Sequence, residues 1–364
     1  SCRKNGTPYM EKAPVPYPPV LHSLASASTI TWLIHQKFEL SIPLYRQEKE
    51  WEALGLRLSR ATMSNWLLVV YRDWLVHIVH RLKLELLKQR YLHIDETHVQ
   101  VLKEPGRKNT SDSYMWVYCS IRDAVNPIRY FEYQPGRSGK YPEAFLREYE
   151  GYIHTDAYSG YNAVSGVKRC LCYTHLRRAF VDALPKDIHN SEASKPAEAI
   201  LRLNQLFNIE SELEALPPDQ KKKERLIREK PLLEAFWSWA EKSAIGELPK
   251  SKLSKAFHYA LNNREGFWNY LEDGNCSISN SLAENCIRPF VIGRKNWLFS
   301  GSPKGAEASA GIYTLVETAK ANGLAPMKYI KYILSDMPGS AFLEHPEYLD
   351  DYLPWNPLVK EFCR

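Results

Sequence analysis

The sequence has no apolar run long enough to cross a membrane, and it does not open on a basic, apolar and cleavable signal. It has only seven cysteines, an odd number scattered along 364 residues, which is typical of reduced thiols and not of a disulfide framework. It also lacks a large excess of charge, since the net value is +6. We therefore expect a cytoplasmic protein with no membrane partner, in which any nucleic-acid binding depends on local basic patches.

With 44% hydrophobic and 25% charged residues, the composition is that of an ordinary globular protein. The chain is long enough for two or three domains with cores of their own. Residues 1–20 are rich in proline and show no periodic pattern, so we predict a linker there or the edge of a further segment.

Helical spacing predicts three successive helices after this linker, over 26–38, 43–55 and 60–71. Ser59 is a good N-cap for the third helix, which begins at Arg60 and carries Asn65 among its exposed early positions. Two helices around a short glycine turn, the second opening with basic and amide residues, is the layout of a helix-turn-helix. Plain packing in a helical bundle gives the same pattern, so DNA contact by Arg60 and Asn65 is one of two interpretations.

The segment 91–102 reads YLHIDETHVQVL and predicts a strand that contains an acidic pair, Asp95 and Glu96. Further strands are predicted at 117–121 and 128–133. Carboxylates are poor strand formers and costly to bury. Because side chains alternate faces along a strand, only one of the two acids can face a given site. A solvent-facing pair on an edge strand is the alternative interpretation.

A second aspartate follows a short apolar segment. The residues GYIHTDAYSGY place Asp156 in a turn rich in tyrosine and glycine, where an aspartate is often only a turn-former. The next residues, VKRCLCY, have strand character. They lead into a helix, THLRRAFVDAL, with Arg177 and Arg178 on its first turns.

The composition and periodicity change between about residues 187 and 274, where the sequence is polar, has helical spacing and lacks strand signals. This predicts an inserted all-helical module. The basic run KKKER within it is most simply a solvated helix face, and nothing supports DNA contact there.

A further helix is predicted from Ser279 or Asn280 to about residue 290, since Pro289 should end or kink it. Asn280, Glu284 and Arg288 recur every four residues and form one stripe along this helix. The residues GRKNWLFSG then bring together basic and aromatic side chains, a combination that suits phosphate contact and base stacking. We predict DNA contact by Arg294, Lys295, Trp297 and Lys304.

The order along the chain is a strand with an acid at 95, a strand ending near Asp156 and a late helix with Glu284. Ribonuclease-H-like nucleotidyl transferases gather a metal site from two strand aspartates and a helical glutamate. Carboxylate oxygens are the ligands that Mg²⁺ takes in proteins. Two such ions can assist both the attacking and the leaving oxygen of a phosphoryl transfer.

Several segments resemble the IS66 family of bacterial DDE transposases. They are YLHIDETHVQVL, GYIHTDAYSGYNAV, CYTHLRRAF, IPLYRQEKEWEALGLRLSRATMSNWL and NSLAENCIRPFVIGRKNWLFSGSPKGAEASAGIYTLVETAKANGLAP. The resemblance covers about residues 21–334. It implies an α/β, ribonuclease-H-like mixed sheet flanked by helices and interrupted by an all-helical insertion, after an N-terminal helix-turn-helix-like domain. It also implies cleavage at transposon ends and strand transfer into target DNA.

Carried over residue by residue, the resemblance makes Asp95 the first catalytic acid, Asp156 the second and Glu284 the third, with Mg²⁺ or Mn²⁺ as the two ions. Asn280 and Arg288 match supporting positions beside Glu284. The predicted domains are 1–20 (linker or zinc-finger remnant), 21–88 (helical), 89–186 (core, first part), 187–275 (insertion), 276–335 (core, second part) and 336–364 (tail).

Two cysteine features bear on zinc. Family members usually carry an N-terminal cysteine-rich zinc finger, whereas SCRKNGTPYM has Asn5 where a second cysteine is expected. We therefore expect no zinc in this chain. Cys172 and His175 form a Cys-x-x-His signature beside the second aspartate. Because the spacing shows no clear fourth ligand, a structural role is favoured over metal ligation.

The expected partners are the terminal repeats and target DNA, in a homodimer or larger assembly on the bacterial nucleoid, with possible companion proteins from the same element. We expect Arg177 and Arg178 to contact the DNA backbone. Two alternatives stay open at this point: a ribonuclease-H-like nuclease without strand transfer, and a non-catalytic DNA-binding derivative.

Overall fold

The computed structural model describes residues 2–4, 7–9, 16–185 and 194–364. At the start of the chain, strands β1 (Cys2–Lys4) and β2 (Thr7–Tyr9) pair antiparallel. The first 20 residues were predicted as a linker or the remnant of a zinc finger, and this short hairpin is the regular structure described there.

The N-terminal helices are α1 (Ala27–Ile34), α2 (Leu44–Ala53), α3 (Arg60–Val70) and α4 (Val76–Leu87). The predicted N-cap is confirmed, since the Ser59 hydroxyl accepts the backbone N–H of Thr62 at 3.1 Å. A π-helical turn at Tyr71–Leu75 joins α3 to α4 in one continuous helix. Apolar side chains of these helices, such as Ile30 and Leu67, share a hydrophobic cluster with Ile94 of the sheet.

The centre of the fold is a mixed sheet in the order β5-β4-β3-β6-β7. Its strands are β3 (Tyr91–Val101), β4 (Asp112–Ser120), β5 (Arg129–Gln134), β6 (Gly151–Thr155) and β7 (Val167–Leu171). Strand β4 runs antiparallel to both β3 and β5, whereas β6 runs parallel to β3 and β7 runs parallel to β6. The three predicted strands at 91–102, 117–121 and 128–133 are therefore present, and β3 lies at the middle of the sheet and not at an edge.

Helices cover both faces of this sheet. On one face lies α5 (Lys140–Phe145), whose Phe145 ring stacks on Tyr118 of β4 with ring centroids 3.6 Å apart. Along β7 lies α6 (Tyr173–Val181), the predicted helix that carries Arg177 and Arg178. Alternation along β3 directs Ile94 and Glu96 to the face of α5 and Asp95 to the opposite face.

The residues between the two parts of the core are helical throughout the described range that begins at 194, as predicted. The helices are α7 (Lys195–Glu212), α8 (Pro218–Glu224), α9 (Lys230–Ala244), α10 (Lys252–Asn262) and α11 (Arg264–Trp268). The predicted start of the insertion, at 187, lies outside the described residues. Leu203, Phe236 and Phe257 form a second hydrophobic cluster with Leu171 of β7 and Phe180 of α6.

Arg225 corrects the prediction that the KKKER run is a solvated face. Lys222 and Lys223 are exposed, but Arg225 is fully buried. Its guanidinium pairs with Glu210, with Nε 2.5 Å from Oε1, and donates to the carbonyls of Tyr270, Asp273 and Cys276. A buried charge is tolerated when it is paired and its donors are used, so this side chain joins the insertion to the segment that returns to the core.

The last helices are α12 (Ser281–Trp297), α13 (Pro303–Ala321), α14 (Pro326–Asp336) and α15 (Pro357–Cys363). A short strand, β8 (Phe299–Ser300), pairs with the far end of β3. On α13, the hydroxyls of Thr314 and Thr318 accept the backbone N–H groups of Phe131 and Arg129. These bonds cover the edge of β5, which would otherwise present unpaired groups.

The sequence predicted that this helix would end or kink near Pro289, whereas α12 continues through Pro289 to Trp297. Proline deprives the carbonyl four residues earlier of its helical donor. That residue is Asn285, which lies on the exposed side of the helix, where water can take the place of the lost donor. In the part of the chain that the structure describes, no helix has the length and apolar character needed to cross a membrane.

Candidate active site

The two aspartates lie at the same end of two adjacent parallel strands. The register of β3 and β6 pairs His93 with His154. Two residues further along each strand come Asp95, within β3, and Asp156, directly after the end of β6. Parallel neighbours in this register bring the two carboxylates to one place at the sheet.

Two histidines stabilise this register. The rings of His93 and His154 stack with centroids 4.2 Å apart. His154 donates from Nδ1 to the Leu92 carbonyl at 3.1 Å, and its Nε2 accepts the backbone N–H of Ser277 at 2.8 Å. Burial lowers the pKa of His93 well below its usual range, so this ring is neutral. Neither ring was singled out from the sequence, although two histidines at matching positions before the aspartates were a visible signal.

Asn280 joins the start of α12 to the strand that carries Asp95. Its Nδ2 donates to the Ile94 carbonyl at 2.8 Å, and its Oδ1 accepts from His93 Nδ1 at 2.9 Å. Its backbone N–H donates to the Cys172 sulfur at 3.2 Å. The buried side chain thus binds β3, while the backbone N–H binds the N-cap residue of α6. Asn280 is thus the N-cap of α12, and Glu284 lies in the first turn of this helix.

Asp95 of β3, Asp156 after β6 and Glu284 of α12 lie near one another, since the charges of Asp156 and Glu284 act on Asp95. Burial first, then the charges of Glu96, Asp156 and Glu284, raise the pKa of Asp95 to about 7. The side chains of Asp156 and Glu284 are similarly exposed, at 26% and 27%. Asp156 also forms the turn that its sequence suggests, since its Oδ1 accepts the backbone N–H of Tyr158 at 3.0 Å.

Glu96 points to the opposite face of the sheet, as strand alternation requires. Its Oε1 accepts from Arg137 Nε at 2.6 Å, and the Tyr161 hydroxyl donates to its Oε2. Arg137 also lies 3.8 Å from Asp156 Oδ2 and stacks over the Tyr158 ring. Sequence reasoning missed Arg137, although a basic residue in the loop QPGRSGK after a strand is a signal for an anion-facing position.

Cys172 and His175 lie beside Glu284. His175 Nδ1 is 3.6 Å from Glu284 Oε1, beyond hydrogen-bonding distance. Cys172 is buried at the N-cap of α6. Burial alone would raise the pKa of the Cys172 thiol, but the neighbouring His175 and the N–H of Asn280 lower it below its usual range.

Comparison with known proteins identifies the family of the chain. The family described as Transposase IS66 family has a model that matches residues 22–308. The chain belongs to the IS66 family of transposases. It is also similar to three uncharacterized proteins of Sinorhizobium fredii (strain NGR234), named y4hP, y4qI and y4jD, at 25%, 28% and 26% identity. The alignments cover 95%, 92% and 98% of this chain and 65%, 63% and 70% of those proteins, so the chain spans about two thirds of their length.

The predicted basic residues of this IS66-family chain occupy different environments. Arg178 is exposed and lines an open groove of about 360 Å³ together with Asp156 and His175. Arg177, by contrast, is half-buried and donates from Nε to Asn204 Oδ1 on α7 at 2.7 Å. Arg178 is thus free to meet a ligand in the groove, whereas Arg177 already has a protein partner.

The basic residues near the end of α12 also differ. Arg288, Lys295 and Lys304 are exposed, and Arg294 is half-buried with its Nη1 donating to the Thr97 hydroxyl at 3.1 Å. Trp297 packs against the core, with its ring centroid 6.5 Å from that of Tyr313. Packing accounts for this tryptophan, and its contact with DNA stays a prediction.

Arg60 and Asn65 are exposed on α3. The neighbouring helix α2 approaches the end of α12, where Arg46 Nη1 lies 3.4 Å from Asn296 Oδ1. The helical pair α2–α3 is therefore next to the basic end of α12. Whether its exposed residues contact DNA stays a prediction.

Replacement of Asn280 by alanine is expected to reduce activity at this site by about 10–100-fold, because a group that orients a ligand-bearing helix is lost. The free energy of unfolding should fall by about 1–3 kcal/mol, since His93 and the Ile94 carbonyl lose their partner. The Mg²⁺ concentration needed for half-maximal cleavage should rise, which a purely structural defect would not produce. Asn285→Ala, at an exposed position on the same helix, is the matched control. An unchanged Mg²⁺ requirement in Asn280→Ala would contradict the positioning role.

The raised pKa of Asp95 predicts a pH-dependent cost to stability in metal-free protein. Since an unfolded aspartate titrates near about 3.9, the penalty is absent below about pH 4, grows as pH rises, and is complete above the folded pKa of about 7. Asp95→Asn should therefore be more stable than the parent, by a margin that grows by roughly 2 kcal/mol between about pH 5.5 and pH 8. Urea denaturation in a chelator measures this margin. A margin independent of pH would show that Asp95 is not held among other acids.

Proposed function

We propose that this chain is the catalytic part of a DNA transposase that cleaves at the ends of its element and transfers the strands into target DNA. In this proposal Asp95, Asp156 and Glu284 hold two Mg²⁺ or Mn²⁺ ions. The observation that supports it is that the acids come from a strand, a strand end and a helix, and that Asp156 and Glu284 lie close enough for their charges to act on Asp95.

The topology supports a ribonuclease-H-like core. Three antiparallel strands are followed by two strands parallel to the first, and the first strand lies at the centre. This order places the carboxyl end of β6 beside the middle of β3, where the site lies. By this likeness to ribonuclease-H-like cores, the three acids would be the metal ligands.

The donor set fits a hard divalent cation. The pKa of Asp95 is raised first by burial and then by neighbouring acids, Asp156 and Glu284 among them, and a cation bound beside these carboxylates would offset both effects. Glu284 Oε1 is buried and, among the described residues, has no hydrogen-bond donor. When bound, Mg²⁺ would supply Lewis-acid stabilisation of the charge that develops on the phosphoryl oxygens.

The chain's own residues would hold this arrangement and the substrate. Asn280 holds the helix that carries Glu284 against β3, and Arg137 lies between Glu96 and Asp156. Arg178 and Lys295 are exposed cations suited to the phosphate backbone. Arg288 lies one turn beyond Glu284 and is exposed, so it is placed to contact a phosphate beside the acids.

Transposition requires two element ends to be held together, so the proposed form on DNA is a homodimer or larger assembly, with companion proteins from the element where they are needed. We place this activity on the bacterial nucleoid, where its substrate lies. The helical pair α2–α3 is proposed as a helix-turn-helix-like contact for DNA outside the cleavage point, through Arg60 and Asn65.

The test uses a duplex that carries the end of the mobile element encoding the chain. Purified protein should cleave at the element boundary only with Mg²⁺ or Mn²⁺, and precleaved ends should integrate into a target plasmid. Cleavage without integration would identify a nuclease that lacks strand transfer. DNA binding without metal-dependent cleavage would identify a non-catalytic derivative and overturn the proposal.

A further inference from the structure

Three side chains with metal-binding atoms converge at the junction of α6 and α12. The Cys172 sulfur, a ring nitrogen of His175 and a carboxylate oxygen of Glu284 all lie within 4.8 Å of one another. The sequence showed the first two, and a structural role was favoured because no clear fourth ligand was visible. The fold brings a third donor, Glu284, from a helix more than 100 residues later in the chain.

Two polar atoms of this cluster face each other at ion-pair distance without a hydrogen bond. His175 Nδ1 and Glu284 Oε1 are buried, lie 3.6 Å apart and make no hydrogen bond within the ranges that the structure describes. Leaving a buried donor or acceptor unpaired is costly. A cation between these two atoms and the sulfur would satisfy both.

The surroundings of the sulfur are those of a ligand thiolate. Cys172 is buried and accepts the backbone N–H of Asn280 at 3.2 Å, and the Ser279 hydroxyl lies 3.8 Å away. Such outer hydrogen bonds orient metal ligands and adjust their strength. A thiolate and a carboxylate together carry two negative charges, which a divalent ion neutralises.

We propose that Cys172, His175 and Glu284 form a binding site for a thiophilic divalent ion such as Zn²⁺, with the fourth position open to water. One sulfur, one imidazole and one carboxylate are ligands that Zn²⁺ binds and that Mg²⁺ does not select as a set. The site is distinct from the oxygen-only set of Asp95, Asp156 and Glu284, with which it shares a single residue.

A second cluster of potential metal ligands does not qualify as a metal site. His154, Cys170 and Cys276 also lie within 4.8 Å of one another and are all buried. Both ring nitrogens of His154 are already used, one by the Leu92 carbonyl and one by the N–H of Ser277. This cluster therefore has no free nitrogen for a metal, and it provides the control for the first.

Glu284 belongs to both sites, so the two kinds of ion should compete for it, an effect on cleavage that rests on the function proposed above. An ion held by Cys172 and His175 draws Glu284 away from the oxygen-only set, so Zn²⁺ should compete with Mg²⁺ in cleavage. Binding of the thiophilic ion itself does not depend on that function, and it is measured without DNA.

The experiment uses Co²⁺ as a spectroscopic substitute for Zn²⁺ on the reduced, metal-free protein. We expect a thiolate-to-cobalt charge-transfer band and the visible bands of a four-coordinate ion, both removed by added Zn²⁺ and unaffected by Mg²⁺. Cys172→Ser should abolish the charge-transfer band. His175→Gln should weaken Co²⁺ binding by about tenfold or more. Cys170→Ser should retain both features.

Thermal melting of each variant checks that it is folded, and His175→Gln tests the site independently should Cys172→Ser not fold. Absence of the thiolate band in the parent protein overturns the proposal. So does a band that persists in both Cys172→Ser and His175→Gln, or one that is lost in Cys170→Ser alone, since that result would assign the ion to the second cluster.

Discussion

Replacement of Asp95 by asparagine is expected to reduce metal-dependent cleavage of an end-containing duplex by about 10³-fold or more. The substitution keeps the size and shape of the side chain and removes its charge, so several kcal/mol of charge stabilisation by bound metal should be lost. DNA binding should remain within about twofold, because the exposed cations that meet phosphate are untouched. Gel-based cleavage with Mg²⁺, and binding measured in Ca²⁺ or chelator, separate the two effects.

The matched control for this substitution is Asp123→Asn, the same chemical change at an exposed turn beyond β4. Its cleavage rate should equal that of the parent. If Asp95→Asn cleaves at a rate near that of Asp123→Asn, Asp95 takes no part in catalysis. The proposed catalytic role of the three acids would then be wrong.

Replacement of Arg225 by methionine is expected to lower the free energy of unfolding by about 3 kcal/mol, because the buried carboxylate of Glu210 loses its hydrogen-bonded partner and keeps only Lys221, 3.6 Å away. Glu210 is only 10% exposed, and the carbonyls of Tyr270, Asp273 and Cys276 lose their donors as well. Chemical denaturation followed by far-ultraviolet circular dichroism measures the loss.

Arg228→Met provides a matched comparison three residues further on. Arg228 pairs with Glu212, whose side chain is 61% exposed, so the loss should stay below about 1 kcal/mol. Equal losses in the two variants would show that the buried position of Arg225 is not what makes it important. Since Arg225 contacts the segment 270–276, the Arg225 variant should also lose cleavage before it unfolds globally.

The sequence was sufficient wherever local rules decide the structure. Period-two alternation along β3 required Asp95 and Glu96 to face opposite ways, and helical spacing placed Asn280 and Glu284 on one stripe. The Ser59 N-cap and the three predicted strands follow from equally local preferences. These features depend on neighbours a few residues away, which a single sequence displays.

The sequence was not sufficient where a distant partner reverses a local preference. Arg225 belongs to a run of charges that favours solvent, and only Glu210 and the carbonyls around residue 273 make its burial acceptable. Pro289 should have ended α12, yet packing of the helix against β3 keeps it continuous. His93 and Asn280 meet across 187 residues, a separation that no spacing rule reports.

The continuity of α12 has a geometric consequence for how a duplex can lie on the protein. Ten residues separate Glu284 from Arg294, and at 1.5 Å per residue a straight helix sets them ~15 Å apart. At 3.4 Å per base pair, this span corresponds to roughly four to five base pairs. A helix broken at Pro289 would let that interval vary, whereas an unbroken one fixes the distance from Glu284 to the basic residues at the end of α12, beyond Arg288.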